Sequence, residues 1–249
     1  EKVVLGAAVR EALGVGEGDA VSIKVLDDPP GADAFRWFFY SAGPPWNNTR
    51  NSLRSIREQQ NEFLVRWQNV LTFFLIYASI DGFDPAEGGQ AMPGKLDGGV
   101  GHRPAAERAR MDRWILSETA LTTRKVTEAL DTYRVYDAAS VLKEFVDALS
   151  NWYVRRSRSR FWAPGFEQDK RDAYWTLWEV LVELSLLSAP FVPFYSEHVY
   201  RTLVAGAWPE MEAESVHLAN WPEVREQWID GELSEDVWQK AEKSPRFVD

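Results

Sequence analysis

From residue 47 onward, apolar side chains recur every three or four positions, the period of a helix that buries one face. Leu53, Ile56, Gln60, Phe63, Trp67, Val70 and Phe74 make one continuous stripe, which Gly82 and Pro85 close. Ile115, Thr119, Thr122, Val126 and Leu130 predict a second helix from about Met111 to Tyr133. Val141, Phe145, Leu149, Trp152 and Tyr153 predict a third from about Asp137 to Phe161, with Asp137 as N-cap and Pro164-Gly165 as the stop. Tyr174, Trp178, Leu181, Leu184 and Ser188 place a fourth from about Asp169 to Ser188. Proline suits a first helical turn, so a short fifth helix is expected from Pro193 to Val204. Long amphipathic helices joined by short or flexible loops pack as an antiparallel bundle, so the expected fold class is mainly α.

The breaks in this pattern divide the chain. Residues 1–30 pass through Gly14, Gly16 and Gly18 into an alternation at Val21, Ile23 and Val25, which predicts a small β-like segment. Asp27-Asp28-Pro29-Pro30 ends it. Residues 31–46 read as a linker, and 47–204 as the bundle. Within the bundle, residues 85–110 hold six glycines and three prolines with almost no large apolar side chain, the composition of a flexible loop. Residues 205–249 read as an extended segment at Val216-His217-Leu218 followed by an acidic tail, either a short helix from Glu235 to Glu242 or disordered.

Composition narrows the chemistry. The absence of cysteine rules out a disulfide scaffold, a thiol nucleophile and a thiolate zinc site, and three scattered histidines leave little for another metal. The longest apolar run, Leu71 to Ile80, is half of what a membrane span needs, so no membrane and a cytoplasmic location are expected. Twelve tryptophans suit wide gaps between helices. No G-x-S-x-G, G-x-x-x-x-G-K, H-E-x-x-H or G-x-G-x-x-G motif is present, so no catalytic residues are expected.

The net charge of −10 argues against bulk coating of nucleic acid, but the charge is unevenly placed. Eleven acidic and four basic residues fall between Pro209 and Asp249, whereas Ala148 to Phe166 holds four arginines and no acid. Arg155, Arg156, Arg158 and Arg160 are interleaved with Trp152, Tyr153, Phe161 and Trp162 at a helix end. Arginine forks suit phosphates and aromatic faces suit bases, which makes Arg155, Arg156, Arg158 and Arg160, with Trp152 and Tyr153 in support, the candidate RNA contacts. At 100° per residue, Arg156 and Arg160 continue the apolar stripe while Arg155 and Arg158 point away from it. The outer pair is open to a second reading as solvated surface, and the inner pair to one as partners of an acid on a neighbouring helix.

Six strings in order extend this reading: GADAFRWFFYSAGPPWN (31–47), LTFFLIYASIDGFDP (71–85), MDRWILS (111–117), ALSNWYVRRSRSRFW (148–162), SAPFVPFYSEHVYRTL (188–203) and SVHLANWPE (215–223). Together they resemble isoleucyl-tRNA synthetase, a class I aminoacyl-tRNA synthetase, from Gly31 to about Glu223. Valyl- and leucyl-tRNA synthetases share the plan, but NWYVRRSRSRFW and PPWN look most like the isoleucyl enzyme. The resemblance implies the anticodon-binding bundle that follows the catalytic domain, with the anticodon stem-loop of an isoleucine-accepting tRNA as partner and, in the parent enzyme, the catalytic domain as neighbour.

The H-I-G-H and K-M-S-K-S motifs, which the family uses with ATP and Mg to activate the amino acid, are absent. The resemblance therefore implies a C-terminal fragment or a fusion product, inactive alone and needing no cofactor of its own. The rivals are a helical scaffold without RNA affinity and a piece of a valyl enzyme.

Overall fold

The computed structural model of the chain describes residues 29–48, 51–87, 101–205 and 213–242. The expected β-like segment and the residues 88–100 of the expected loop lie outside this set. Among the described residues there is no strand, and the architecture is a helical bundle as the periodicity requires.

Seven helices build it. They are α1 (Ala32–Ser41), α2 (Leu53–Asp81), α3 (Arg110–Asp131), α4 (135–162), α5 (Gln168–Ser188), α6 (193–205) and α7 (Gly231–Glu242). Three of them contain a π turn: Asn61–Val65 in α2, Ala148–Val154 in α4 and Arg201–Ala205 at the end of α6. Ser52 starts α2 through a capping box, its hydroxyl accepting the Ser55 N–H at 3.0 Å while Ser55 reciprocates. Gly82 ends α2 in the left-handed conformation that glycine adopts without strain. Pro193 occupies the first turn of α6 as expected.

α5 is the hub. It is buried along nearly its whole circumference, and the charges it carries inward, Lys170, Asp172, Glu179 and Glu183, are met by partners on other segments. α2, α3, α4 and α6 surround it, and α7 lies against α3. Tryptophan fills the gaps as its abundance implied: Trp37, Trp67, Trp114, Trp175 and Trp178 are fully buried. Trp37 stacks on Phe63 with ring centres 3.7 Å apart, which joins α1 to α2. By length and composition α2 would also suit a bilayer, yet its Trp67, Val70, Leu71, Phe74 and Ala78 pack into the bundle.

Several expectations change. The linker at 31–46 contains α1, because Ala34, Trp37 and Phe38 share one face and bury it. Asp33 and Arg36 then tie it down. The Asp33 carboxylate accepts the Tyr195 N–H at 2.7 Å at the start of α6, and Arg36 donates to the carbonyls of Pro190 and Phe191 beyond α5. The α4 N-cap is Arg134, one turn before Asp137, which instead sits in the first turn. Val216-His217-Leu218 forms a turn with Val216 buried.

The described part of the acidic segment is built into the fold, and the short helix expected from Glu235 to Glu242 falls within α7. Glu226, Asp230 and Asp236 pair with Arg124, Arg113 and Arg110 of α3, and Trp238 packs edge-on against Trp114.

The described part of the expected flexible loop is also fixed, and by charge rather than by apolar contact. Arg108 is buried and forks onto Glu179, at 2.5 Å and 3.0 Å. Arg103 pairs with Asp172, and His102 lies 2.9 Å from Glu179. Gly101 takes a left-handed φ of +73°, and a Cβ there would stand 2.8 Å from Arg171 Cδ, so the position favours glycine.

Candidate nucleic-acid interface

The arginine cluster ends α4, and the π turn before it sets its orientation. Through Ala148–Val154 the helix widens, and Trp152, Tyr153 and Val154 are all buried in succession. Trp152 and Tyr153, chosen from sequence as RNA-facing aromatics, therefore belong to the interior. Tyr153 points its hydroxyl at Asp112 of α3, 2.7 Å away. Burial, and then the Asp112 charge, push that hydroxyl's pKa well above its ordinary value.

Asp112 is fully buried, and its charge is met by Arg160. Arg160 donates from Nη1 and Nη2 to the two Asp112 oxygens, each at 2.7 Å, the two-pronged geometry that guanidinium and carboxylate share. Its Nε donates to the Asp169 carboxylate at 2.9 Å and Nη2 to the Asp169 carbonyl at 2.8 Å. Burial pulls the guanidinium's pKa down, but the Asp112 hydrogen bonds and charge outweigh it and raise the pKa above the usual arginine value. This clamp joins the start of α3, the end of α4 and the start of α5. A second lies beside it, where Lys170 bridges Asp81 at the end of α2 and the Ala163 carbonyl. Of the inner pair expected from spacing, Arg160 is a partner of acids, whereas Arg156 is exposed.

The other three arginines are exposed, and none has an acidic partner among the described residues. Arg156 lies flat over Trp152, 3.8 Å from the ring centre, where a cation–π contact holds it at the surface. Arg155 and Arg158 point outward as their phase implied. Helical spacing continues their stripe to Trp162, which is 59% exposed. Sequence reasoning had Trp162 within the cluster and passed over it, although its step of four from Arg158 was the available signal.

Most other cations are spoken for. Arg54, Arg66, Arg103, Arg108, Arg110, Arg113, Arg124, Arg134, Lys143 and Arg201 all meet a carboxylate. A cavity of about 550 Å3 between α2, α3, α4 and α7 is lined by charge, but Arg66–Asp147 and Lys143–Glu62 cancel much of it. Among the described residues, the end of α4 gathers three exposed arginines that meet no carboxylate. Fold and site together define a helical bundle that carries, among its described residues, a cationic face at the end of α4.

The comparisons with known proteins say which kind. The family model described as the anticodon-binding domain of tRNA ligase matches residues 112–246. The chain is 42% identical over 221 residues to the isoleucine–tRNA ligase of Clostridium tetani, covering 89% of this chain and 20% of that protein. It is 40% identical over 238 residues to that of Deinococcus radiodurans, covering 94% of this chain and 20% of the relative.

Its fold is shared with LeuRS from Agrobacterium radiobacter K84, solved in a ternary complex with tRNA and LeuAMS. The TM-score is 0.52 at 16% identity, over 80% of this chain and 20% of that one. The chain belongs to the anticodon-binding domain family of tRNA ligases and, within it, is similar to the isoleucine–tRNA ligases. It spans about a fifth of the length of those curated relatives.

Proposed function

We propose that this chain binds the anticodon stem-loop of an isoleucine-accepting tRNA, as the anticodon-binding part of an isoleucine–tRNA ligase acting in the cytoplasm. Arg155, Arg156 and Arg158 make the phosphate contacts. Arg160, Trp152 and Tyr153 act as the frame that holds them. ATP- and Mg-dependent attachment of isoleucine belongs to the catalytic part of such an enzyme, and no residue of this chain is assigned to it.

The observation that carries the proposal is the run of three exposed arginines with no acidic partner among the described residues, in a chain of net charge −10. Most other described arginines and lysines meet a carboxylate, and an anionic ligand at this face supplies the missing counter-charge. The family match and the isoleucine–tRNA ligase relatives support tRNA as that ligand.

The test is equilibrium binding of the 249-residue chain to an isoleucine-tRNA anticodon stem-loop, beside stem-loops of equal length carrying other anticodons. Binding that favours the isoleucine anticodon supports the proposal. Binding no tighter than that of an acidic helical protein of similar charge refutes it and leaves the scaffold reading.

A further inference from the structure

Trp162 stands out once the polar clamps are traced. Polar clamps flank it on both sides along the chain, and its ring is in solvent. On one side, Arg160 is bolted to Asp112 and Asp169. On the other, the carbonyl of Ala163 accepts Lys170 Nζ at 2.9 Å, and that ammonium also pairs with Asp81. Pro164 and Gly165 follow at once and end the helix. No described ring packs on Trp162, whereas five other tryptophans are fully buried.

The ring continues the Arg155–Arg158 stripe, so the most exposed aromatic at this end stands one turn beyond two cations that meet no acid among the described residues. From Arg155 to Trp162 the stripe runs about 10 Å along the helix axis. A rigid aromatic face with arginines beside it is the arrangement that takes an unpaired base and its neighbouring phosphates.

We propose that Trp162 is a base-stacking platform: its indole takes the face of one unpaired nucleobase of the bound RNA loop, while Arg158 and Arg155 take the phosphates beside that nucleotide. This rests on the tRNA reading above and adds to it how the loop is held. Stacking requires a base free of its partner, so the contact discriminates loop from duplex. It does not discriminate base identity strongly, because every base has a π-face.

The test uses the full chain with two RNAs of equal length: an isoleucine-tRNA anticodon stem-loop and a fully paired hairpin stem closed by a minimal loop. Trp162→Ala should weaken stem-loop binding by about 5- to 150-fold, the range for one stacked base. It should leave binding to the paired RNA and the melting temperature nearly unchanged. Trp162→Phe should recover most of the loss. In the stem-loop, 2-aminopurine at the stacked position should be quenched by the wild type and not by Trp162→Ala.

Wild-type binding that Trp162→Ala leaves intact overturns the stacking assignment alone. Equal losses on both RNAs overturn it too, since they mark a general effect on the surface. A fall in melting temperature with RNA affinity unchanged overturns it in favour of a ring covered by protein. Failure of the wild type to bind either RNA overturns both this inference and the function on which it rests.

Discussion

The clamp between Asp112 and Arg160 permits a prediction with a built-in asymmetry. Arg160→Ala removes the partner of a carboxylate with no solvent exposure and leaves it only the Tyr153 hydroxyl. Breaking a buried pair in this way costs about 3–5 kcal/mol. Asp112→Ala orphans the other charge, but the Arg160 side chain keeps 15% exposure and its bonds to Asp169. The loss is then nearer that of a charged hydrogen bond, about 1.5–3 kcal/mol.

At roughly 2–4 °C per kcal/mol for a domain of this size, Arg160→Ala should lower the Tm by about 6–20 °C and Asp112→Ala by clearly less. Tyr153→Phe, which deletes one bond to Asp112, should cost about 1 kcal/mol. Urea unfolding followed by circular dichroism measures each. The pair Asp112→Leu with Arg160→Met should recover much of the loss, because a buried ion pair replaced by apolar bulk is often neutral. Strictly additive single mutants, or an Asp112→Ala more damaging than Arg160→Ala, would refute the reasoning.

Further outcomes follow from other sites. Tyr133 takes a left-handed φ of +58° at the end of α3, is 91% exposed, and has the Arg134 N–H bonded back to Ala129 at 2.7 Å. This is a position glycine fills without strain, so Tyr133→Gly should raise stability by about 1 kcal/mol, and a drop on thermal melting would count against it. At Glu179, burial pushes the carboxyl's pKa up, but the Arg108 charge and the His102 and Arg108 hydrogen bonds prevail and hold it below its ordinary value. Its contribution is therefore present above the ordinary carboxylate pKa and lost as pH falls through the folded value, and Glu179→Gln should flatten the acid limb of a Tm–pH curve between pH 7 and 3.

Glu183, one turn on, has the opposite sign. Burial raises its pKa against the Arg225 charge, so Glu183→Gln should remove a loss of stability on raising the pH above the ordinary carboxylate range. Trypsin should spare the Arg103 and Arg108 bonds while the fold is intact, and early cleavage there would contradict the charge-anchored segment.

The elements with a clean three-and-four period were legible from sequence: Ile56, Phe63, Trp67, Val70 and Phe74 are buried on one face of α2, as their spacing implied. α1 carried the same signal in Ala34, Trp37 and Phe38, but in a ten-residue stretch dense with aromatics the stripe was hidden. Residues 101–110 carried no apolar signal at all, because charge holds them, and a hydropathy pattern is blind to an arginine that is buried against a glutamate.

At the site, the phase of Arg155, Arg158 and Arg160 on a regular helix was read from spacing alone. The π turn at Ala148–Val154 was not, since no residue type marks it. The acidic tail was legible as charge but not as structure, because its partners, Arg110, Arg113 and Arg124, lie more than a hundred residues earlier.

The central claim is that positive charge left unanswered at the end of α4 is there for RNA. It is tested most directly by the salt dependence of stem-loop binding for the wild type and for Arg155→Glu with Arg158→Glu. Both positions are exposed and unpaired with acids among the described residues, so the double variant should melt with the wild type. The account expects its affinity to be lower at every salt concentration, and its plot of log affinity against log salt to be shallower by about 1.5–2. Superimposable wild-type and variant plots, at equal melting temperature, would contradict it.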